Sequence, residues 1–241
     1  MKLEREIGFY EKHIKRLLDI VCSLLFIIVF SWLYIIIAVL VRIKLGKPVL
    51  FKQPRPGVVR NGKETIFDMY KFRSMTDERD ENGDLLPDDK RLPPFGAALR
   101  STSLDELPEV FCILRGTMSV IGPRPQLVRD MVFMSDKQRM RHTAKPGLTG
   151  LAQVKGRNAI TWEDKLDWDL KYIEKVSFIG DVKILFQTVA AVFKRSGITD
   201  GENATALDYG DALLKAGKIS KGKYDALQAH ARKLIEEHEG E

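Results

Sequence analysis

The chain has 241 residues, a formal net charge of +6, 44% hydrophobic residues and 30% charged residues. That size suits one folded unit with appendages, and the charge density excludes a chain that is membrane-embedded throughout. The two cysteines, Cys22 and Cys112, have no CxxC or metal-type spacing. They exclude a disulfide framework and read as buried thiols in a reducing compartment. The basic balance favours anionic partners, without choosing among phosphates, acidic lipid and nucleic acid.

From Ile20 to Val41 no residue is charged. About 22 residues make roughly 33 Å of helix, enough to cross the hydrocarbon core of a bilayer. The run is too long and too late for a cleaved signal peptide, and no small-residue cleavage site follows. Lys12, Lys15 and Arg16 precede it, and Arg42, Lys44, Lys47, Lys52 and Arg55 follow it. Basic residues at both ends fit a helix that enters one leaflet, bends and returns with both ends cytoplasmic. A single span is the alternative and, on general grounds, the commoner arrangement. Asp19, at the edge of the run, calls for a partner such as Lys15 or Arg16.

Lys52–Gly57 (KQPRPG) reads as a Pro/Gly turn, and Thr65–Met75 as a strand with interleaved cations. Asp77–Arg91 is a charged loop with an Asn82-Gly83 turn signal, and order resumes over Phe95–Arg100. Ser103–Leu114 reads as a helix opening with a Ser103/Glu106 capping box. Residues 126–141 look helical, and Thr161–Val176 reads as an amphipathic helix opening at Thr161. Val182–Phe193 puts Val182, Leu185, Phe186, Val189, Val192 and Phe193 on one face, for the membrane interface or the core. Beyond about Gly197 the composition changes, and Asp211–Lys215 and Tyr224–Glu237 read as two short helices.

Four clusters can carry chemistry. Asp105 and Glu106 are adjacent, so on a helix they point about 100° apart and cannot form a symmetric pair. One can attack or bind metal while the other orients or handles protons; acids in a first helical turn also simply favour the helix dipole. Gly122-Pro123-Arg124-Pro125 fixes one arginine between two prolines, a way to grip phosphate with defined geometry, or else a solvated turn. Lys145–Asn158 is glycine-rich and basic, and matches neither the P-loop nor the dinucleotide fingerprint. Its glycines would let backbone approach a ligand, and the bland reading is a surface loop. Lys15, Arg16, Lys71, Arg73 and Arg100 are scattered cations. His13, His142, His230 and His238 have no mutual ligand spacing, and the three tryptophans fit packing better than base stacking, so nucleic acid is not an expected partner.

The order KRLLD, apolar run, FKQPRPG, YKFRSM, RSTSLDELPE, GTMSVIGPRP and KPGLTGLAQVKGRN resembles the small monotopic phosphoglycosyl transferases, the bacterial initiating sugar transferases. The match runs from about Lys12 to Ile198. Its nearest likeness is to members that start N-glycan assembly from a diacetylbacillosamine donor. The resemblance implies an α+β, mostly helical fold in four parts. Residues 1–19 form a basic amphipathic segment, 20–41 a re-entrant membrane helix, 42–198 a cytosolic catalytic domain with interfacial helices, and 199–241 a helical appendage that is a candidate for self-association.

The resemblance also implies transfer of a sugar 1-phosphate from a UDP-sugar to polyprenyl (undecaprenyl) phosphate, releasing UMP, at the cytoplasmic face of the bacterial inner membrane. Asp105 would be the nucleophile and, in part, the Mg²⁺ ligand, with Glu106 beside it. Lys71, Arg100, Arg124, Lys15 and Arg16 would hold phosphate, and Lys145, Gly147, Gln153, Arg157 and Asn158 the nucleotide-sugar. Hexose donors of capsule or exopolysaccharide assembly are the alternative to an N-acetylated amino sugar. A UDP-releasing glycosyl transferase and a non-catalytic anionic-lipid binder are the readings from other classes. One departure stands out: Ser31-Trp32 replaces the family's helix-bending Ser-Pro, leaving Ser31 to bond back to a carbonyl.

Overall fold

The computed structural model describes residues 3–156, 160–193 and 207–240. Helix α1 (Lys15–Lys44) follows a π-helical turn at Tyr10–Ile14. The hairpin β1 (Leu50–Arg60) and β2 (Lys63–Phe72) comes next, then α2 (Asp88–Arg91), α3 (Pro94–Ser101), α4 (Glu109–Arg115) and β3 (Ser119–Ile121). After these come α5 (Val128–Met131), α6 (Asp136–Arg139), β4 (Gly147–Thr149), α7 (Leu151–Gly156), α8 (Trp162–Glu174) and α9 (Phe178–Phe193). The tail is α10 (Tyr209–Lys215) and α11 (Lys221–Glu239). The architecture is α+β and mostly helical.

Helix α1 is long and apolar enough to cross a membrane. Its burial is confined to its two ends: Lys15, Asp19 and Ser23 are buried at one, Ile37 and Val41 at the other. Between them Leu24, Leu25, Ile28, Val29 and Trp32 are exposed. Both ends dock on the same body. Arg16 donates to the Ile113 and Leu114 carbonyls at the end of α4, and the Tyr34 hydroxyl donates to the Leu107 carbonyl just before α4. The Ser31 hydroxyl donates to the Ile28 carbonyl at 3.0 Å, the back-bond open to it in place of a proline. Cys22 is exposed, contrary to the sequence expectation, because no protein element covers the outer face of α1; Cys112 is buried.

The KQPRPG segment is not a turn but the middle of β1, with Pro54 opposite Asp68 and Pro56 opposite Ile66. A two-stranded hairpin has only edge strands, so each proline can turn its missing N–H away from the partner. Asn61 (φ 52°) and Gly62 (φ 75°) close the hairpin with two positive-φ residues, which the Asn-Gly pair supplies at low strain. Met69 and Phe67 of β2 pack with Cys112, Ile113 and Met118, so α4 lies against the hairpin.

The expected capping box at Ser103 does not form. Ser103 is left-handed (φ 55°) and caps nothing; Leu104–Glu106 is a 3-10 turn, and α4 begins only after Pro108. Residues 126–141 are not one helix but two single-turn helices, α5 and α6, the second running into a 3-10 turn at Met140–Thr143. Thr161 does cap α8, its side chain accepting from the Asp164 N–H. The parallel pair β3–β4 aligns Ser119 with Gly147 and Ile121 with Thr149. It therefore joins the Gly-Pro-Arg-Pro turn to the Lys145 stretch. In the tail, Tyr209 packs with Phe133, Met134 and Leu166, and Ala231 of α11 with Val128 and Met131 of α5.

Candidate active site

Asp105 and Glu106 lie on the tight turn between α3 and α4, where neighbouring side chains diverge by about 120°. Their surroundings differ accordingly. Glu106 is clamped: Lys71 from β2 donates to its Oε1 at 2.7 Å, and Arg124 grips both oxygens, closely at Oε1 and at 3.3 Å at Oε2. Burial alone would raise its pKa, but Arg124 and Lys71 outweigh burial and hold the carboxyl well below the usual range. Asp105 is buried yet makes no hydrogen bond or ion pair among the described residues. Burial lifts its carboxyl above the ordinary value, Glu106 adds to the lift, and Lys71, Arg100 and Arg124 oppose it. The result is a desolvated carboxylate facing three cations and bonded to none of them.

Two further groups complete the cluster. Arg100 on α3 is exposed; its Nε donates to Ser74 Oγ and its NH2 to Met75 Sδ, each at 2.9 Å, which leaves NH1 uncommitted among the described residues. Glu109, absent from the sequence expectation, is 1% exposed and sits 3.2 Å from Lys71. Burial and Glu106 raise its pKa, and neither of its oxygens has a hydrogen-bond partner. Lys71 thus bridges two glutamates. Spacing along the chain offered one signal for Glu109: it starts the helix that follows Pro108.

The other expected residues fall elsewhere. Lys15 is buried in an ion pair with Asp181, which also accepts from the Tyr10 and Tyr172 hydroxyls at 2.9 Å. Arg16 caps α4, and Asp19 accepts from Ser119 Oγ and the Val120 N–H at 3.0 and 2.9 Å. Lys145 is half-buried and feels Arg16, Asp19 and Lys15, so it belongs to this boundary node rather than to the Asp105 cluster. The glycines of its stretch approach protein, not open space. A Cβ on Gly147 would stand 2.1 Å from the Gly122 nitrogen, and one on Gly150 would stand 2.1 Å from the Gly122 oxygen. Gln153 donates to the Leu148 carbonyl at 3.2 Å, and its Oε1 is buried without a partner. Arg157 and Asn158 lie outside the described residues.

A dyad with one clamped and one free acid, the free one under the influence of Lys71, Arg100 and Arg124, beside a docked apolar helix suits transfer of an anionic group next to an apolar surface. The family model for bacterial sugar transferases matches residues 10–195. The chain belongs to that family, and it is an enzyme, a transferase of phosphoglycosyl groups. It is 45% identical over 193 residues to an uncharacterized sugar transferase, EpsL, of Bacillus subtilis, covering 80% of this chain and 94% of that one. It is 40% identical over 185 residues to the UDP-glucose:undecaprenyl-phosphate glucose-1-phosphate transferase of Klebsiella pneumoniae, covering 73% of this chain but 39% of that one. It is 35% identical over 196 residues to the exopolysaccharide production protein ExoY of Rhizobium meliloti, covering 74% and 84%.

Proposed function

We propose that the protein transfers a sugar 1-phosphate from a UDP-sugar to undecaprenyl phosphate through a covalent intermediate on Asp105. The observation that carries this reading is the contrast within the dyad: Glu106 is saturated by Lys71 and Arg124, while the buried Asp105 carboxylate has no partner. A carboxylate oxygen of Asp105 attacks the β-phosphorus, and the bond to the bridging oxygen breaks. UMP leaves with the electron pair. An oxygen of the polyprenyl phosphate then attacks the same phosphorus, and the carboxylate–phosphorus bond breaks, restoring Asp105. Lys71, Arg100 and Arg124 lower the repulsion between anions at both steps.

Mg²⁺ fits as a companion of the diphosphate. This cation usually takes one or two carboxylates, with substrate phosphates and water completing six oxygens. Asp105 offers one uncommitted carboxylate, and no group of three or more candidate ligands exists among the described residues. The bound ion would supply charge neutralisation on the diphosphate.

Relatives act, by name, on glucose, on galactose and on N-acetylgalactosamine. The proposed donor class is therefore a UDP-hexose or UDP-N-acetylhexosamine, with UDP-diacetylbacillosamine, the donor favoured by the motif likeness, tested beside them. The re-entrant reading of α1 is supported by the docking of both its ends on one body. A span would leave one of those ends on the far side of the hydrocarbon from that body. Exposed Phe178, Ile179, Phe186 and Val189 on α9 extend the apolar face, and Phe178 meets Tyr10 edge-on. We place the catalytic body on the cytoplasmic side of the inner membrane. Cysteines introduced at residues 12 and 47 should then label from the same side, and labelling from opposite sides would reject the topology.

The decisive test is donor turnover in the full-length protein. UMP release should require undecaprenyl phosphate for sustained turnover. Without acceptor, mass spectrometry should find the sugar-phosphate mass on Asp105. Release of UDP, or product formation with no adduct at Asp105 in trapping conditions, would overturn the proposal.

A further inference from the structure

Arg124 can grip Glu106 and a substrate phosphate only if its backbone is fixed, and the chain supplies few ordinary means. Proline occupies positions 123 and 125, so Arg124 owns the one N–H among these three residues. The turn's handles are its carbonyls, and three separate elements take one each. The Gly147 N–H of β4 donates to the Pro123 carbonyl at 3.0 Å. Arg141 NH2 donates to the Arg124 carbonyl at 2.5 Å, and Arg55 NH1 of β1 donates to the Pro125 carbonyl at 3.1 Å.

Neither arginine belongs to the site expected from the sequence, and neither is placed as a surface cation would be. Arg141 is 1% exposed and anchored by Asp169, whose Oδ2 accepts its Nε at 2.9 Å and its NH2 at 2.7 Å. Arg55 is the odder case. Its NH2 donates to Gln53 Oε1 at 2.6 Å, its Nε is buried with no hydrogen-bond partner, and no carboxylate among the described residues lies within ion-pair distance. Burial and the neighbouring Arg124 push its pKa down to about 10 against the opposing pull of Glu109, Asp130 and Glu106, so it stays charged at neutral pH. A half-buried cation with no carboxylate in direct contact and an unpaired buried N–H adds little to stability, so its hold on the turn is the feature that calls for explanation. The guanidinium's rigid fork lets one side chain hold Gln53 and the turn at once, which an ammonium would do with less definition.

We propose that Arg55 and Arg141 are positioning residues that pin the Pro123–Pro125 turn and so aim Arg124 at Glu106 and at the phosphate of the donor. They act through Arg124 and do not touch the substrate. The inference rests on the active-site reading above, and its test separates the two.

Arg141 is a poor probe, since its removal would strand the buried Asp169. Arg55→Met keeps the stem and removes the fork. In the full-length protein, Arg55→Met should lower kcat for UMP release by about 10- to 100-fold with KM for the donor changed less than about threefold, as expected when a contact is misplaced by a fraction of an ångström. In an Arg124→Ala background the same change should cost less than about threefold, because residues that act as one unit are not additive. Arg55→Lys should recover part of the loss. In ¹⁵N-arginine-labelled protein, the Arg124 Nε–Hε signal, assigned by its loss in Arg124→Ala, should shift or broaden in Arg55→Met without any donor present. Equal losses in both backgrounds, a raised KM with unchanged kcat, or an unmoved Arg124 signal would each overturn the proposal. Absence of UMP release by the unmodified protein would instead sink the active-site reading, and the resonance would still decide the positioning role.

Discussion

The Asp105 cluster and the Lys15 node are both knots of buried acids and cations, yet they are wired in opposite ways. At the node, where α1 meets β3 and α9, Asp181 is shared by Lys15 and two tyrosine hydroxyls, and Asp19 accepts from Ser119 and Val120. At the cluster, Asp105 has no partner among the described residues, and neither oxygen of Glu109 accepts a hydrogen bond. Buried polar groups are normally satisfied, and an unsatisfied one is costly. The satisfied knot therefore reads as architecture that seats the membrane helix, and the unsatisfied one as a site whose missing partners arrive with substrate.

Three experiments can break or sharpen that contrast. The largest effect is expected for Asp105→Asn, which should lower kcat at least about 10⁴-fold, as loss of a nucleophile does elsewhere. Its thermal midpoint should stay level or rise, since a desolvated charge that no group bonds is removed; a clear fall would place Asp105 among the structural acids. Next comes Lys15→Met, with the opposite signature. Stranding Asp181 should cost about 3–5 kcal/mol of stability, read by denaturant unfolding in detergent. A cost below about 1 kcal/mol would dissolve the distinction between the two knots.

The smallest effect concerns acid. His142 is buried beside Glu64, Arg139 and Arg141; burial and Arg141 depress its pKa from 6.5 to about 4, while Glu64 opposes the fall. The fold thus favours neutral imidazole, and its stability contribution is complete above about pH 6.5 and lost as pH falls toward 4. The loss should reach about 3 kcal/mol, and His142→Gln should flatten that part of the stability–pH curve. An unchanged slope between pH 6.5 and 4 would assign the acid sensitivity to other groups.

Much of this was legible in the chain. The apolar run and the Thr161 cap needed only local pattern, whereas the adjacent acids stood out locally but took on roles only through the family resemblance. The Ser103 cap failed because the motif presumes that Ser103 is extended, whereas it is left-handed and Pro108 delays the helix. KQPRPG misled because prolines signal turns, and only the pairing with β2 reveals an edge strand; the Asn61-Gly62 pair was the better signal and marks the true reversal. Arg55 and Arg141 were invisible as site residues because their roles are defined by carbonyls 70 and 17 positions away. The separation of Lys15 and Arg16 from the dyad was equally hidden, since a basic residue looks the same in sequence whether it meets a phosphate or caps a helix.

The contact of Gly122 with Gly147 and Gly150 has a consequence for engineering. Backbone lies on backbone there, with no room for even a methyl group. Libraries built to retarget the enzyme to a new carbohydrate should leave positions 122, 147 and 150 untouched. A transplanted recognition segment must bring both halves of that seam together, because a chimera that exchanged one half alone would wedge the two strands apart.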